Sequence, residues 1–344
     1  MRHLKKIFFL IGANLFFNAQ AEPVNEDVDR KNAWTFSIEN DLLAGSQKDA
    51  DYTGGFMYTL SGPNASRLPL SLDPILRAVD NLWLPGHDAE PSAKAGFQIS
   101  MQSWTPYDKA DPLPVRNDRP YATVLALTST RMMVTSEDEA AWASSLSVGL
   151  LGAGFAKDIH NGIHDLVNSG PGPKGYHHQI SQGGEPTMRY SLRRQSLWGE
   201  NKFLNARHDF KFDVEGSIGY LTEASLGVSA RLGQFSTPWW SMQAQHHEFY
   251  APHEAQGNFY LSYGMELKLR GYNALLQGQF RHSEVTVPRS NLETVIGVAW
   301  FGLTWGITDT TTLTYQMRHQ TAEIRSGLGS RPFSSGGIYI KHVY

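Results

Sequence analysis

Residues 259–270 read Phe-Tyr-Leu-Ser-Tyr-Gly-Met-Glu-Leu-Lys-Leu-Arg, and this stretch decides the fold. Large apolar side chains occupy the odd positions, whereas Ser262, Glu266, Lys268 and Arg270 occupy even ones. A period of two predicts a β-strand with one apolar and one polar face. Charges in mid-strand, all on one face, are typical of a barrel whose polar face lines the lumen and whose apolar face meets lipid. A soluble sandwich would turn the same polar face to water.

The same alternation recurs along the whole chain, and an even number of strands favours closure into a bacterial barrel. Residues 274–285 are a possible thirteenth strand, which we interpret as a strand extension or a loop. We therefore predict an all-β fold, a twelve-stranded antiparallel transmembrane β-barrel in one domain. The predicted strands are 34–40, 53–61, 95–103, 121–133, 144–153, 187–194, 210–220, 225–232, 259–270, 294–305, 312–318 and 334–344. Aromatic residues near strand ends predict interfacial girdles: Trp104, Tyr107, Tyr121, Trp198, Trp239 and Trp240.

The first residues predict the compartment. A basic start (1–6), a short apolar run (7–17) and the small-x-small triplet Ala19-Gln20-Ala21 are typical of a secretory signal peptide. We expect a signal peptide over 1–21 and the barrel domain over 22–344, in the outer membrane of a Gram-negative bacterium. The sequence has no cysteine, which excludes disulfides, thiolate metal sites and cysteine nucleophiles. A net charge of −3 gives no indication of a nucleic-acid partner.

Two strand ends bring polar residues to one rim. The first strand ends in Glu39-Asn40-Asp41, and the second opens with Asp51-Tyr52-Thr53-Gly54-Gly55. Their carboxylate, amide and hydroxyl oxygens suit a hard cation such as calcium. The alternative is a hairpin whose polar residues cap the turn. Strand phase puts Asn40 on the lipid side and turns Asp41 toward the interior or the loop.

Residues 157–168 do not alternate by two. Ile159, Ile163 and Leu166 recur at helical spacing, which predicts a short helix in a long, extracellular connection. His160 and His164 lie one turn apart on it. Three interpretations compete: a zinc pair, a general base acting on water, or a solvated loop helix with incidental histidines. The pairs 177–178 and 246–247 have no partner evident from sequence.

Taken together, four motifs resemble those of the lipid A 3'-O-deacylases (LpxR family). They are Glu39-Asn40-Asp41, the segment 51–55, Arg116-Asn-Asp-Arg-Pro-Tyr-Ala122, and the loop helix ending Asn161-Gly-Ile-His164, in that order behind a signal peptide. The resemblance runs from the first strand to about residue 190. One departure is His160, where relatives tend to carry glutamine, and the loop after Gly170 also aligns poorly.

The resemblance implies a calcium-dependent ester hydrolase that removes the 3'-acyloxyacyl group of lipid A (lipopolysaccharide) in the outer leaflet. On that basis His164 is expected to be the base with Asn40 as a polar catalytic partner, and Asp41 and Thr53 to bind Ca²⁺. Arg116 and Arg119 are expected to bind a phosphate or sugar of the substrate, although a turn salt bridge or lumen packing explains them equally well. The expected partners are lipid A and outer-membrane lipids, with a monomeric protein. The alternatives are a non-enzymatic porin or adhesin, and an outer-membrane phospholipase.

Overall fold

The computed structural model describes residues 31–46, 50–83, 94–135, 140–155, 158, 173–203, 206–241 and 257–344. Its strands close into one antiparallel barrel in which each strand pairs with its sequence neighbours and β1 pairs with β12. The strands are β1 (Ala33–Asn40), β2 (Asp51–Ser61), β3 (Ala95–Thr105), β4 (Ala122–Thr135), β5 (Ala140–Leu151), β6 (Glu185–Phe203), β7 (Ala206–Gly219), β8 (Leu221–Gln234), β9 (Phe259–Asn273), β10 (Val295–Gly306), β11 (Thr311–Gln320) and β12 (Phe333–Val343). All twelve predicted strands are confirmed.

In the part of the chain that the structure describes, the helical elements with defined bounds lie in the connections between strands. The α-helices are α1 (Asp73–Trp83) and α2 (Ala274–Gln277); short 3₁₀ turns cover Leu42–Ala44, Ala65–Arg67, Gly175–His178, Trp239–Ser241 and Arg289–Asn291. Residues 274–285 contribute a helical turn and a loop, as the loop interpretation predicted. The loop helix predicted over 157–168 lies, apart from residue 158, outside the described residues. Among the described residues, no helix has both the length and the apolar character needed to cross a membrane.

The polar face of each strand points inward. On β9 the side chains of Glu266, Lys268 and Arg270 are buried, while Leu267 between the first two is 51% exposed. On β1 the same rule buries Glu39 and exposes Phe36. An apolar exterior around a charged interior is the reverse of a soluble protein and is the pattern of a barrel whose outside meets lipid.

The barrel has two distinct rims. At the rim that we call the site rim, β1 ends and β2 begins; at the other, the terminal rim, β1 begins and β12 ends. An apolar cluster lies near each end of the lumen. Near the site rim Leu275 of α2 and Ile180 pack in one apolar cluster with Val124, and near the terminal rim Trp240 packs on Met132. Between them lies a polar cavity of about 140 Å³.

The predicted aromatic girdle is correct only in part. Trp198 is well exposed on the outside, as a lipid-interface residue should be. Tyr121 and Trp240 are buried instead: Tyr121 packs on the ring of Tyr176, and Trp240 belongs to the terminal-rim cluster. Proximity to a strand end does not determine whether a ring faces the lipid or the lumen.

Candidate functional site

The β1–β2 hairpin forms the centre of the site rim. The Asp41 backbone N–H donates to the Tyr52 carbonyl (3.2 Å), and the Leu42–Ala44 turn closes on Gly45, whose φ of +79° suits glycine. The Asn40 side chain accepts from the Leu42 N–H (2.6 Å) and donates to the Thr53 carbonyl. Asn40 therefore caps the turn and also ties it to β2. As strand phase predicted, Asp41 is buried and Asn40 is only half-buried.

Thr53 stands at an irregularity of β2. The pairing of β2 with β3 shifts between Tyr52 and Gly54, so Thr53 is an extra residue at a β-bulge. Bulges re-aim a side chain at the end of a strand. The Thr53 side chain is buried and its hydroxyl shares a hydrogen bond with the Thr105 hydroxyl. The structure thus places Asn40, Asp41 and Thr53 together in one hairpin.

The oxygens of this hairpin fit a hard cation by their chemistry. Asp41 contributes a buried carboxylate whose Oδ2 accepts from the Ala50 N–H (2.5 Å), and Thr53 contributes a hydroxyl and a carbonyl. A carboxylate or carbonyl oxygen with one hydrogen bond retains a lone pair for a metal. Calcium takes about six to eight oxygens, which include backbone carbonyls and water. In the described part of the chain, no three His, Asp or Glu side chains converge as a metal site.

Asp51, the first residue of β2, has an unusual backbone. Its φ is +66°, a left-handed conformation that costs a non-glycine residue energy. Arg331 binds its carboxylate with two nitrogens, Nε to Oδ2 at 2.8 Å and Nη2 to Oδ1 at 3.0 Å. The third nitrogen, Nη1, donates to Asp118 Oδ1 at 2.6 Å. Arg331 therefore joins the β11–β12 connection to both the second and third predicted motifs.

Arg119 continues this assembly into the barrel. It is buried; its Nε lies 3.4 Å from Asp51 Oδ1, and its Nη2 donates to Glu323. Glu323 also accepts from Arg270, which binds Glu223 through Nε at 2.7 Å. Burial alone would raise the pKa of Glu323, but the charges of Arg119 and Arg270 lower it to about 2. The carboxylate is therefore ionised at neutral pH.

Arg116 lies apart from Arg119. It is exposed, and its Nη2 is 3.4 Å from Glu284 Oε2. Glu284 also faces His178, with Nδ1 2.9 Å from Oε1. Sequence alone assigned His178 no partner, because Glu284 lies far along the chain. His164 and His160 lie outside the described residues.

A second buried cluster beneath the hairpin was not predicted. The Glu39 carboxylate accepts from the hydroxyls of Tyr52 (2.7 Å) and Tyr339. Glu39 pairs in register with Gly55 on one side and Gly337 on the other. A Cβ on Gly55 would stand 2.2 Å from the Tyr52 hydroxyl, and one on Gly337 2.5 Å from that of Tyr339. The two glycines make room for the tyrosines, and the Gly54-Gly55 pair was the sequence signal for this cluster.

A closed barrel with an apolar exterior and a charged interior defines an outer-membrane β-barrel protein. Its sequence matches the model of the family "Outer membrane protein LpxR" over residues 7–342, and the chain belongs to the LpxR family. That membership and the fold indicate the outer membrane of a Gram-negative bacterium. No curated protein matches the chain by sequence.

The solved structure of LpxR from Salmonella typhimurium has the same fold. It aligns with a TM-score of 0.67 at 15% identity, covering 90% of this chain and 99% of that one. Two other barrels align at a TM-score of 0.40, which is too low to support any argument about residues. They are the β domain of the Bordetella autotransporter BrkA (9% identity; 91% and 99% covered) and the COG4313 outer membrane channel of Pseudomonas putida F1 (8%; 96% and 100%).

Proposed function

We propose that the protein is a calcium-dependent lipid A 3'-O-deacylase, which hydrolyses the ester of the 3'-acyloxyacyl group in the outer leaflet of the outer membrane. One observation carries the proposal: three of the four motifs shared with the LpxR family meet in one assembly at the site rim. Asp41 is tied to β2, and Arg331 joins Asp51 to Asp118. Asp118 and Arg331 lie far from the β1–β2 hairpin in sequence. If the polar residues only capped their own turns, the motifs would have no reason to meet.

The sidedness of the rims supports an outer-leaflet substrate. Three of the five connections at the terminal rim are short (136–139, 204–205 and 307–310). Bacterial barrels keep short turns on the periplasmic side and longer loops outside. The site rim would then face outward, next to lipopolysaccharide.

In the proposed reaction each residue has a defined task. His164 takes the proton from the attacking water, a role that a neutral imidazole performs near neutral pH. Asp41 and Thr53 would hold the calcium ion, and Asn40 fixes the Thr53 carbonyl through its side-chain amide. When bound, calcium supplies a Lewis acid that polarises the ester carbonyl and stabilises the oxyanion. The chain has no Gly-x-Ser-x-Gly elbow, so we invoke no serine nucleophile.

The two predicted substrate arginines differ in access. Arg116 is exposed, so we propose it for contact with a phosphate or sugar of lipid A. Arg119 is buried among carboxylates, and a substrate contact by this residue stays a prediction.

The test is mass spectrometry of lipid A from cells that express the chain. We expect the loss of one acyloxyacyl mass with the wild type, and a decrease of about 10²- to 10⁴-fold in activity for His164→Ala, the usual contribution of a general base. Asp41→Ala should also be inactive. His282→Ala, an exposed histidine near the site rim, is the matched control and should match the wild type.

Two outcomes would favour the alternatives. Unchanged lipid A from calcium-replete cells that contain folded wild-type barrel would contradict the proposal. Fatty acid released from phospholipid, with lipid A intact, would indicate a phospholipase. Ion conductance through the reconstituted barrel, with lipid A intact, would favour the porin interpretation.

A further inference from the structure

Helix α1 packs on the outside of the barrel wall. On β5, Ser144 has the same strand phase as Val148, which is exposed outward, and on β6 Tyr190 has the same phase as the exposed Met188. Arg131 of β4 pairs with Ser144 in register and so points the same way. All three contact α1, so the helix lies against the outer surface, on the terminal-rim halves of β4 and β5.

The face of α1 that meets the wall carries two buried carboxylates, with one buried apolar residue, Leu76, between them. Asp80 is 1% exposed, and its carboxylate accepts from Ser144 Oγ (2.7 Å), Tyr190 Oη (3.0 Å) and Arg131 Nη1 (3.2 Å). Toward the N-terminus of the same helix, Asp73 is also buried, 3.7 Å from Arg131 Nε. Without α1, a charged arginine and a row of hydroxyls would stand on the lipid side of the barrel, where they are costly.

The opposite face of α1 is apolar and points away from the protein. Ile75, Ala78 and Leu82 recur at helical spacing, and Ile75 and Leu82 are 56% and 77% exposed. A helix on the surface of a soluble protein buries its apolar face and shows its polar one to water. On α1 the polar face meets the protein and the apolar face points outward, as do the exposed apolar side chains on the strands of the barrel.

We propose that α1 is a membrane-embedded amphipathic helix, whose apolar face inserts among the acyl chains of the leaflet on the terminal-rim side while its polar face covers the Arg131 patch. The partner is lipid, because α1 lies on the same outer surface as the exposed apolar side chains of the strands. Its face therefore continues the lipid-facing band of the barrel. Helices of this type lie in the plane of the interface with the apolar side buried in the acyl region.

Single-cysteine labelling tests the proposal on the whole chain, since the sequence has no native cysteine. Nitroxide labels are placed at Ile75→Cys and Leu82→Cys, with Val148→Cys as the lipid-facing reference and Asp309→Cys, in a terminal-rim turn, as the aqueous reference. Each variant is reconstituted in phosphatidylethanolamine–phosphatidylglycerol vesicles. Power-saturation electron paramagnetic resonance then compares collisions with oxygen and with a water-soluble nickel chelate.

The expected result is that labels at 75 and 82 collide with oxygen in preference to nickel, as at Val148. A nickel-rich signature like that of Asp309 would overturn the proposal, because the face would then lie in water. Protection from both reagents that increases with protein density would overturn it as well, since a second copy of the chain would then cover the face. As a second measurement, Leu82→Asp should lower the urea midpoint in vesicles, whereas Asn81→Asp, an exposed neighbour off the apolar face, should not. Equal midpoints for the two variants would count against lipid contact.

Discussion

Replacing Glu323 by glutamine tests whether the buried ion pairs below the site rim stabilise the barrel. Glu323 accepts from both Arg119 and Arg270, and these charges lower its pKa from 4.5 to about 2. A carboxyl group with that difference between folded and unfolded chain contributes about 3 kcal/mol to the free energy of unfolding at neutral pH. In the variant, Arg119 still pairs with Asp51 and Arg270 still pairs with Glu223, so neither arginine is left without a carboxylate partner. We therefore expect a loss of this size, and not the destabilisation of up to about 5 kcal/mol that follows when a buried ion pair is broken.

The pH dependence makes this prediction specific. Because the pKa of Glu323 is lower in the folded chain, its contribution to the free energy of unfolding is complete above pH 4.5. That contribution is lost as the pH falls from 4.5 through about 2. Urea unfolding in vesicles at about pH 7 and about pH 3 should therefore show the difference between wild type and Glu323→Gln shrinking to less than half. Glu293→Gln is the control: its partner Arg325 lies at 3.5 Å with both side chains at least 40% exposed, so a cost of about 0–1 kcal/mol is expected. A Glu323→Gln variant as stable as wild type, or a difference that does not change with pH, would show that the ion pairs of Glu323 do not stabilise the barrel.

Three further changes probe the hairpin and the lumen. Gly55→Ala should displace the Tyr52 hydroxyl from the buried Glu39 carboxylate, at a cost of about 1–3 kcal/mol in the free energy of unfolding by urea. Adding Tyr52→Phe should cost little more, because both changes remove the same hydrogen bond. Costs that add in full would contradict this. Trp240→Ala should raise ion conductance in planar bilayers by opening the terminal-rim cluster, and unchanged conductance would show that this cluster does not close the lumen. Arg331→Met should weaken the binding of terbium, used in place of calcium, about tenfold, or about 1.4 kcal/mol, because it releases the left-handed backbone of Asp51. Adding Asp51→Gly should restore the affinity, because glycine takes that conformation freely. An affinity that is not restored would exclude a positioning role for Arg331.

The strands could be predicted from sequence because lipid on one side and a polar lumen on the other impose a strict period of two. The same phase correctly predicts that Glu39 is buried, that Asp41 turns toward the interior or the loop, where it accepts from Ala50, and that Asn40 is more exposed than either. The ion pairs could not be predicted, since Asp51 and Arg331 lie 280 residues apart and no spacing links them. The partner of His178 was missed for the same reason.

Helix α1 was missed for a different physical reason. It lies in a connection between two strands at the terminal rim, where short turns are the rule, and its apolar face does not point to a protein core. A pattern search that assumes burial of apolar residues assigns such a helix the wrong partner. The two glycines beside Glu39 were visible in the sequence, but their meaning depends on the register of three strands.

We propose that a cation held at the Asp41–Thr53 hairpin enables this barrel to cleave one ester of lipid A. The most direct measurement is the product mass after purified protein, reconstituted in vesicles with lipid A, is incubated with calcium or with a chelator. We expect loss of the 3'-acyloxyacyl group with calcium, none with chelator, and recovery when calcium is restored. Intact lipid A in the presence of calcium, from protein that migrates as a folded barrel, would contradict it.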